Sequence, residues 1–83
     1  STLVIKVNGK MFLLLSLDAH PVQFNVKCDP DKAIELRAEY SCVLPGSHMN
    51  KQHWNTVVVD GTLTNTQIRE MIDWSYALVS KKK

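Results

Sequence analysis

The order of elements in this chain predicts an α+β fold, an antiparallel sheet with two helices packed on one face. Three observations carry the prediction. Asn8-Gly9 separates two apolar runs. Strict apolar–polar alternation follows over residues 22–28. Two later segments, at Asp29-Pro30 and Thr64, open with helix-start signals. At 83 residues and 9.4 kDa the chain suits a single domain. A domain of this size buries only about 60–65% of the surface its unfolded chain exposes, so its stability margin is thin.

The first strand is expected near residues 2–8, where Leu3-Val4-Ile5-Lys6-Val7 is rich in β-branched side chains. Asn-Gly between apolar runs is the strongest short-range hairpin signal, because a type I′ turn needs positive φ at both central residues. The second strand, near 11–17, is apolar on both faces around Leu13, Leu14 and Leu15, which suits a central position. Asp18-Ala19-His20-Pro21 breaks the pattern. In the third strand, near 22–28, Val22, Phe24, Val26 and Cys28 share one face, and Gln23, Asn25 and Lys27 the other.

A helix is expected near 30–40, with Asp29 as N-cap, Pro30 at the first helical position and Ala33, Leu36 and Tyr40 on one face. Residues 47–56 read as irregular, with one short helical turn at Lys51–Trp54. A fourth strand near 56–59 stops at Asp60-Gly61. The last helix, near 64–80, opens on a capping box of Thr64 and Gln67, flanked by the hydrophobic staple Leu63 and Ile68. Its apolar stripe is Ile68, Met71, Ile72, Tyr76 and Val79, with Trp74 and Leu78 at the shoulder. Lys81–Lys83 suit the negative end of the helix dipole.

Bulk composition narrows the function. The net charge is +2, but Lys81, Lys82 and Lys83 supply three of the ten basic residues. Residues 1–80 thus carry seven basic against eight acidic residues, a net −1. The body therefore has no nucleic-acid electrostatic footprint. The longest apolar run, Met11 to Leu15, is far short of the ~20 residues a membrane helix needs, so no membrane partner is expected. Cys28 and Cys42 form no CxxC motif. Two reduced thiols in a cytoplasmic protein are expected in preference to a disulfide.

One segment concentrates functional side chains: His48-Met49-Asn50-Lys51-Gln52-His53-Trp54-Asn55-Thr56. His48 and His53 are five apart rather than four, and the segment has no carboxylate, so no metal site is expected. Cys42 or Ser47 near His48 lacks a third group to orient a base, so no enzyme and no cofactor are expected. Anion binding is physically easier. Lys51, the imidazoles and the amides could donate to a phosphate while Trp54 offers a stacking face. The plainer alternative is that Trp54 caps the core while His48, Asn50 and Asn55 satisfy loop backbone. Lys6 and Lys10 flank the hairpin turn and could make it a wing lying along phosphates; the plainer reading is two solubilising lysines.

Several strings together resemble the MmcQ/YjbR family of small bacterial proteins. They are Gly9-Lys10-Met11-Phe12, Lys27-Cys28-Asp29-Pro30, the run Pro45 to Val57, Asp60-Gly61-Thr62-Leu63 and Asp73-Trp74-Ser75-Tyr76. The resemblance covers essentially the whole chain and implies a frataxin-like (CyaY-like) α+β fold. It also implies a DNA-binding role through a "double-wing" motif. His48, Asn50, Lys51, His53, Trp54 and Thr56 match the family signature. Members of that family carry an N-terminal helical segment before the first strand, so residues 1–83 are expected to be a single domain of this type lacking it. The acidic residues are scattered, so frataxin-type iron binding is not implied.

Two functional expectations follow. One is a non-enzymatic bacterial DNA-binding module that contacts phosphates through Lys6, Lys10 and the His48–Thr56 loop. The other is a protein- or small-ligand-binding domain in which that loop is mainly structural.

Overall fold

The computed structural model describes residues 2–46 and 49–80. In chain order the elements are β1 (Thr2–Val7), β2 (Lys10–Ser16), β3 (Gln23–Lys27), α1 (Pro30–Glu39), β4 (Val43–Pro45), β5 (Trp54–Val58) and α2 (Asn65–Ser80). The strands form one antiparallel sheet in the order β1-β2-β3-β5-β4. This is the α+β architecture expected from the element order.

The β1–β2 turn has φ of 53° at Asn8 and 78° at Gly9, the double positive φ of a type I′ hairpin. Register then shifts once. Ile5 pairs with Leu13 but Lys6 pairs with Met11, leaving Phe12 without a cross-strand partner. A bulge of this kind lets consecutive side chains turn to the same side. Phe12 and Leu13 are accordingly both buried, and the Phe12 ring meets Tyr76 of α2 edge-on at 5.3 Å.

Cross-strand partners share a face. Pairings Leu13–Val26, Leu15–Phe24, Phe24–Val57, Val26–Asn55 and Val43–Val57 therefore place the main core on one face of the sheet, under α1 and α2. Met71 and Val79 of α2 and Ala33 and Leu36 of α1 complete it. On the opposite face Leu14, Asn25 and Thr56 line up, with Leu44 at the edge strand.

α1 is capped as its sequence implies: Asp29 Oδ2 accepts from the backbone N–H groups of Asp31 and Lys32. At α2 the capping box closes in both directions. Thr64 N–H donates to Gln67 Oε1 at 2.8 Å, and Gln67 N–H to Thr64 Oγ1 at 3.1 Å. The buried line of α2 differs from the expected stripe. Ser75, fully buried, takes the central place, while Tyr76 is 48% exposed. The Lys81–Lys83 tail lies outside the described residues.

Two strand boundaries also differ. β5 begins at Trp54, two residues before the expected start, and β4 was not expected at all. Pro45 ends β4 and Gly46 lies beside Trp54, donating its N–H to the Trp54 carbonyl at 2.9 Å. A Cβ at position 46 would stand 2.8 Å from Trp54 Cβ and 2.9 Å from its carbonyl oxygen. Glycine here serves close approach rather than a turn. Gly46→Ala is expected to lift β4 from β5 and cost about 1–3 kcal/mol. Urea unfolding should show a lower midpoint for this variant, and Gly61→Ala, with open space around it but φ of 92°, tests backbone strain separately.

Candidate functional site

The polar string from Met49 to Thr56 runs from an exposed turn into the buried sheet; His48 and Ser47 lie outside the described residues. Asn50 Oδ1 accepts from the Gln52 N–H at 2.9 Å. The Asn50 carbonyl accepts from the N–H groups of His53 and Trp54 at 3.1 and 3.0 Å. This is the single helical turn expected at Lys51–Trp54. It delivers the chain into β5, and the His53 carbonyl accepts the Cys28 N–H at 2.7 Å, just before the α1 cap.

Lys51 ties two further pieces together. Its Nζ donates to the Gly46 carbonyl at 3.3 Å, and its own carbonyl accepts from Arg37 Nη1 of α1 at 3.1 Å. Trp54, Asn55 and Thr56 then enter the sheet and are all buried. Thr56 Oγ1 hydrogen-bonds Asn25 Oδ1, its cross-strand partner, on the face away from the helices. Asn55 faces the helices. Its Nδ2 donates to the Ala33 carbonyl of α1 at 3.3 Å, while its Oδ1 has no hydrogen-bond partner among the described residues. His53 is half-buried, and Asn50 and Lys51 are exposed.

The hairpin lysines are both exposed but do not act together. Lys6 pairs with Met11, and Lys10 pairs with Val7, the next residue along β1. Neighbouring residues of a strand point to opposite faces. Lys6 and Lys10 therefore leave the hairpin on opposite sides, and Val7, packed against the core, marks the side of Lys10.

Both cysteines are free and buried. Burial pushes the thiol pKa of each upward, with neighbouring Asp60 adding to the effect at Cys42. Thiols raised in this way are poor nucleophiles at neutral pH. Among the described residues no group of three His, Cys, Asp or Glu side chains is arranged to hold a metal ion. No described helix is long and apolar enough to cross a membrane.

The residues that sequence reasoning left out lie elsewhere. A cleft of about 320 Å³ opens between the start of α1 and the outer side of α2, lined by Cys28, Asp29, Lys32, Trp74, Ala77 and Leu78. Lys32 Nζ rests 4.0 Å from the centre of the Trp74 ring, within the range of a cation–π contact. Trp74 and Leu78 are 38% and 44% exposed. The one sequence signal was their place at the shoulder of the α2 stripe. Behind the wall formed by Cys28 and Trp74 is a smaller void of about 10 Å³, which Asn55 also lines.

An antiparallel five-stranded sheet under two helices, with the end of a polar signature string built into its fourth strand position, defines a small α+β domain. A family model described as YjbR matches residues 1–78, and the chain belongs to that family. Among curated relatives, the uncharacterised protein YjbR of Escherichia coli K12 is 38% identical over 72 residues, covering 87% of this chain and 61% of that protein. The uncharacterised protein YyaQ of Bacillus subtilis is 36% identical over 66 residues, covering 77% and 55%. The chain thus spans about three-fifths of the length of such relatives. The crystal structure of Deinococcus radiodurans protein DR2400, with a DUF419 domain, superposes with a TM-score of 0.85 at 34% identity, covering 98% of this chain and 59% of that one. A Pseudomonas syringae protein of known structure gives 0.80 at 27% identity, covering 94% and 76%.

Proposed function

We propose that this domain is a non-enzymatic, cytoplasmic binding module for a protein or small ligand, in which the 49–56 string builds the fold instead of contacting the ligand. The observation that carries this reading is the burial of Trp54, Asn55 and Thr56 in β5, with the polar groups of Asn55 and Thr56 turned to α1 and β3. The bonding of Asn50 and Lys51 within the loop supports it. Two buried free thiols support a reducing compartment. Lys51→Ala and His53→Ala are expected to lower the melting temperature by a few degrees and to leave ligand binding at other surfaces unchanged.

DNA binding through the hairpin wing is the second reading, favoured by the exposure of Lys6 and Lys10 beside the type I′ turn and of Lys51 in the separate loop before β5. The opposed directions of Lys6 and Lys10 and the net −1 of residues 1–80 weigh against it. A fluorescence-anisotropy titration with duplex DNA separates the two. Phosphate contacts would show as an affinity that falls steeply with salt. The expected result is no saturable binding at low salt. Salt-sensitive binding that Lys6→Ala and Lys10→Ala weaken would establish the DNA reading instead.

A further inference from the structure

The α1–α2 cleft combines features that a merely solvated surface does not need. Its walls are predominantly apolar, formed by Trp74, Ala77 and Leu78 on the side of α2 away from the core. Large apolar side chains grouped at a concave surface usually mark a binding site. At about 320 Å³ the cleft lies at the small end of the range for ligand pockets. It suits a one- or two-ring molecule.

Charge narrows the class. Lys32 is the cation at the rim, and its ammonium lies against the Trp74 ring, held by no ion pair among the described residues. The carboxylate on the same rim, Asp29, is already engaged as the α1 N-cap by two backbone N–H groups. Cys28 is a protonated thiol at neutral pH, because burial raises its pKa, so the floor adds no negative charge. Asp29 keeps its negative charge but is tied to the α1 N-terminus, so Lys32, beside an aromatic wall, is the charged group of the rim left to meet a ligand.

The second observation comes from behind that wall. Cys28 and Trp74 also bound the inner void, which is lined by Asn55. Asn55 is 1% exposed and its Oδ1 is an unpartnered acceptor. Buried acceptors are normally satisfied, and one left open marks a place where a donor is wanted. The interior next to the cleft thus holds an unsatisfied acceptor beside a small void.

We propose that this cleft binds a small aromatic carboxylate, its ring lying against Trp74, Ala77 and Leu78 and its carboxylate taking the Lys32 ammonium. This rests on the reading of the domain as a binding module and adds the site and the ligand class. Lys32 swings from the Trp74 face to the carboxylate, exchanging a cation–π contact for a charge-assisted hydrogen bond. The ligand ring then occupies the indole surface that the ammonium leaves.

The probe is 2-naphthoate, followed by amide and indole chemical shifts of the 15N-labelled protein. The neutral 2-naphthalenemethanol and the cationic 2-naphthylmethylammonium serve as comparisons. Shifts are expected at the Trp74 indole N–H and at the Lys32, Ala77 and Leu78 amides, with naphthoate binding about tenfold tighter than the alcohol and the ammonium weakest. Lys32→Met, which keeps the aliphatic stem, should bring naphthoate down to the level of the alcohol. Leu78→Ser should weaken naphthoate and alcohol alike. Both positions are at least partly exposed, and an unchanged dispersion of amide shifts checks that each variant is folded. Equal affinity for the three probes, shifts confined to the hairpin or the 49–53 loop, or no response at millimolar probe overturns the cleft proposal. Shifts in the 49–53 loop that Lys51→Ala abolishes would overturn the broader reading of that loop as structural, so the two failures are distinguishable.

Discussion

At pH 7 the Asn55→Asp variant is expected to lose about 3–5 kcal/mol of stability, the cost typical of a buried and uncompensated charge. A domain of this length has roughly 4–12 kcal/mol in total, at 0.05–0.15 kcal/mol per residue. A large fraction of the variant should therefore be unfolded in mild urea that leaves the parent protein folded. The physical reason is local. Asn55 is 1% exposed, and its Nδ2 donates to the Ala33 carbonyl at 3.3 Å. An ionised carboxylate has no hydrogen to donate and would set a negative oxygen against that carbonyl.

The pH dependence carries the sign that identifies this cause. A buried Asp at position 55 has its folded pKa raised above the ordinary value of about 3.9. Protonated, its hydroxyl can donate to Ala33 as the amide does. The deficit relative to Asn55 is therefore absent below about pH 3.9, grows as pH rises toward the raised folded pKa, and is complete above it. Urea midpoints of the two proteins should converge near pH 3.5–4 and separate by pH 7. Parallel curves across that range would show that position 55 tolerates the charge, and that the Asn55–Ala33 contact does not sit in a dry interior.

The parts of the fold legible in the sequence are those whose cause is local. Asn8-Gly9 forms its turn from the φ preferences of two residues, and Thr64 with Gln67 closes a capping box across three. Phe24 and Val26 alternate because one face of β3 is covered. The start of β5 was hidden because Trp54, Asn55 and Thr56 show no alternation when both faces are buried. β4 is hidden because three residues ending in Pro45 are too few to show the alternation of a strand. The polar string stands out in the sequence, but composition does not decide its role. Asn55 reaches Ala33 and Thr56 reaches Asn25, and only the folded chain brings those partners within bonding distance. The cleft was harder still. Trp74 stands out on α2, whereas its partner Lys32 is an ordinary lysine on α1 until the helices pack.

Ser75 shows the same limit with the largest structural consequence. On a helical wheel it reads as a gap between Ile72 and Val79. In the fold it is the join between α2 and the sheet, with no exposed surface. Its Oγ donates to the Phe12 carbonyl at 2.6 Å and accepts the Lys27 N–H at 2.9 Å. Phe12 is the bulge residue, whose register leaves it without a cross-strand partner. Lys27 is the last residue of β3. One hydroxyl thus satisfies backbone groups of two strands at irregular points of the sheet. Ser75→Ala removes the hydroxyl and leaves a donor and an acceptor without a partner. At about 1–3 kcal/mol for each orphaned group, the variant is expected to lose about 2–4 kcal/mol, the upper sum being reduced by local relaxation. For a domain of 60–100 residues this corresponds to a fall in melting temperature of about 10–25 °C. The alanine has higher helix propensity than serine, so the loss cannot be blamed on a weakened α2. Amide hydrogen exchange gives a second readout, because Lys27 N–H should lose protection more than its neighbours in β3. A melting temperature within a few degrees of the parent, with Lys27 still protected, would mean that the strand ends find other partners and that α2 is held by its apolar contacts alone.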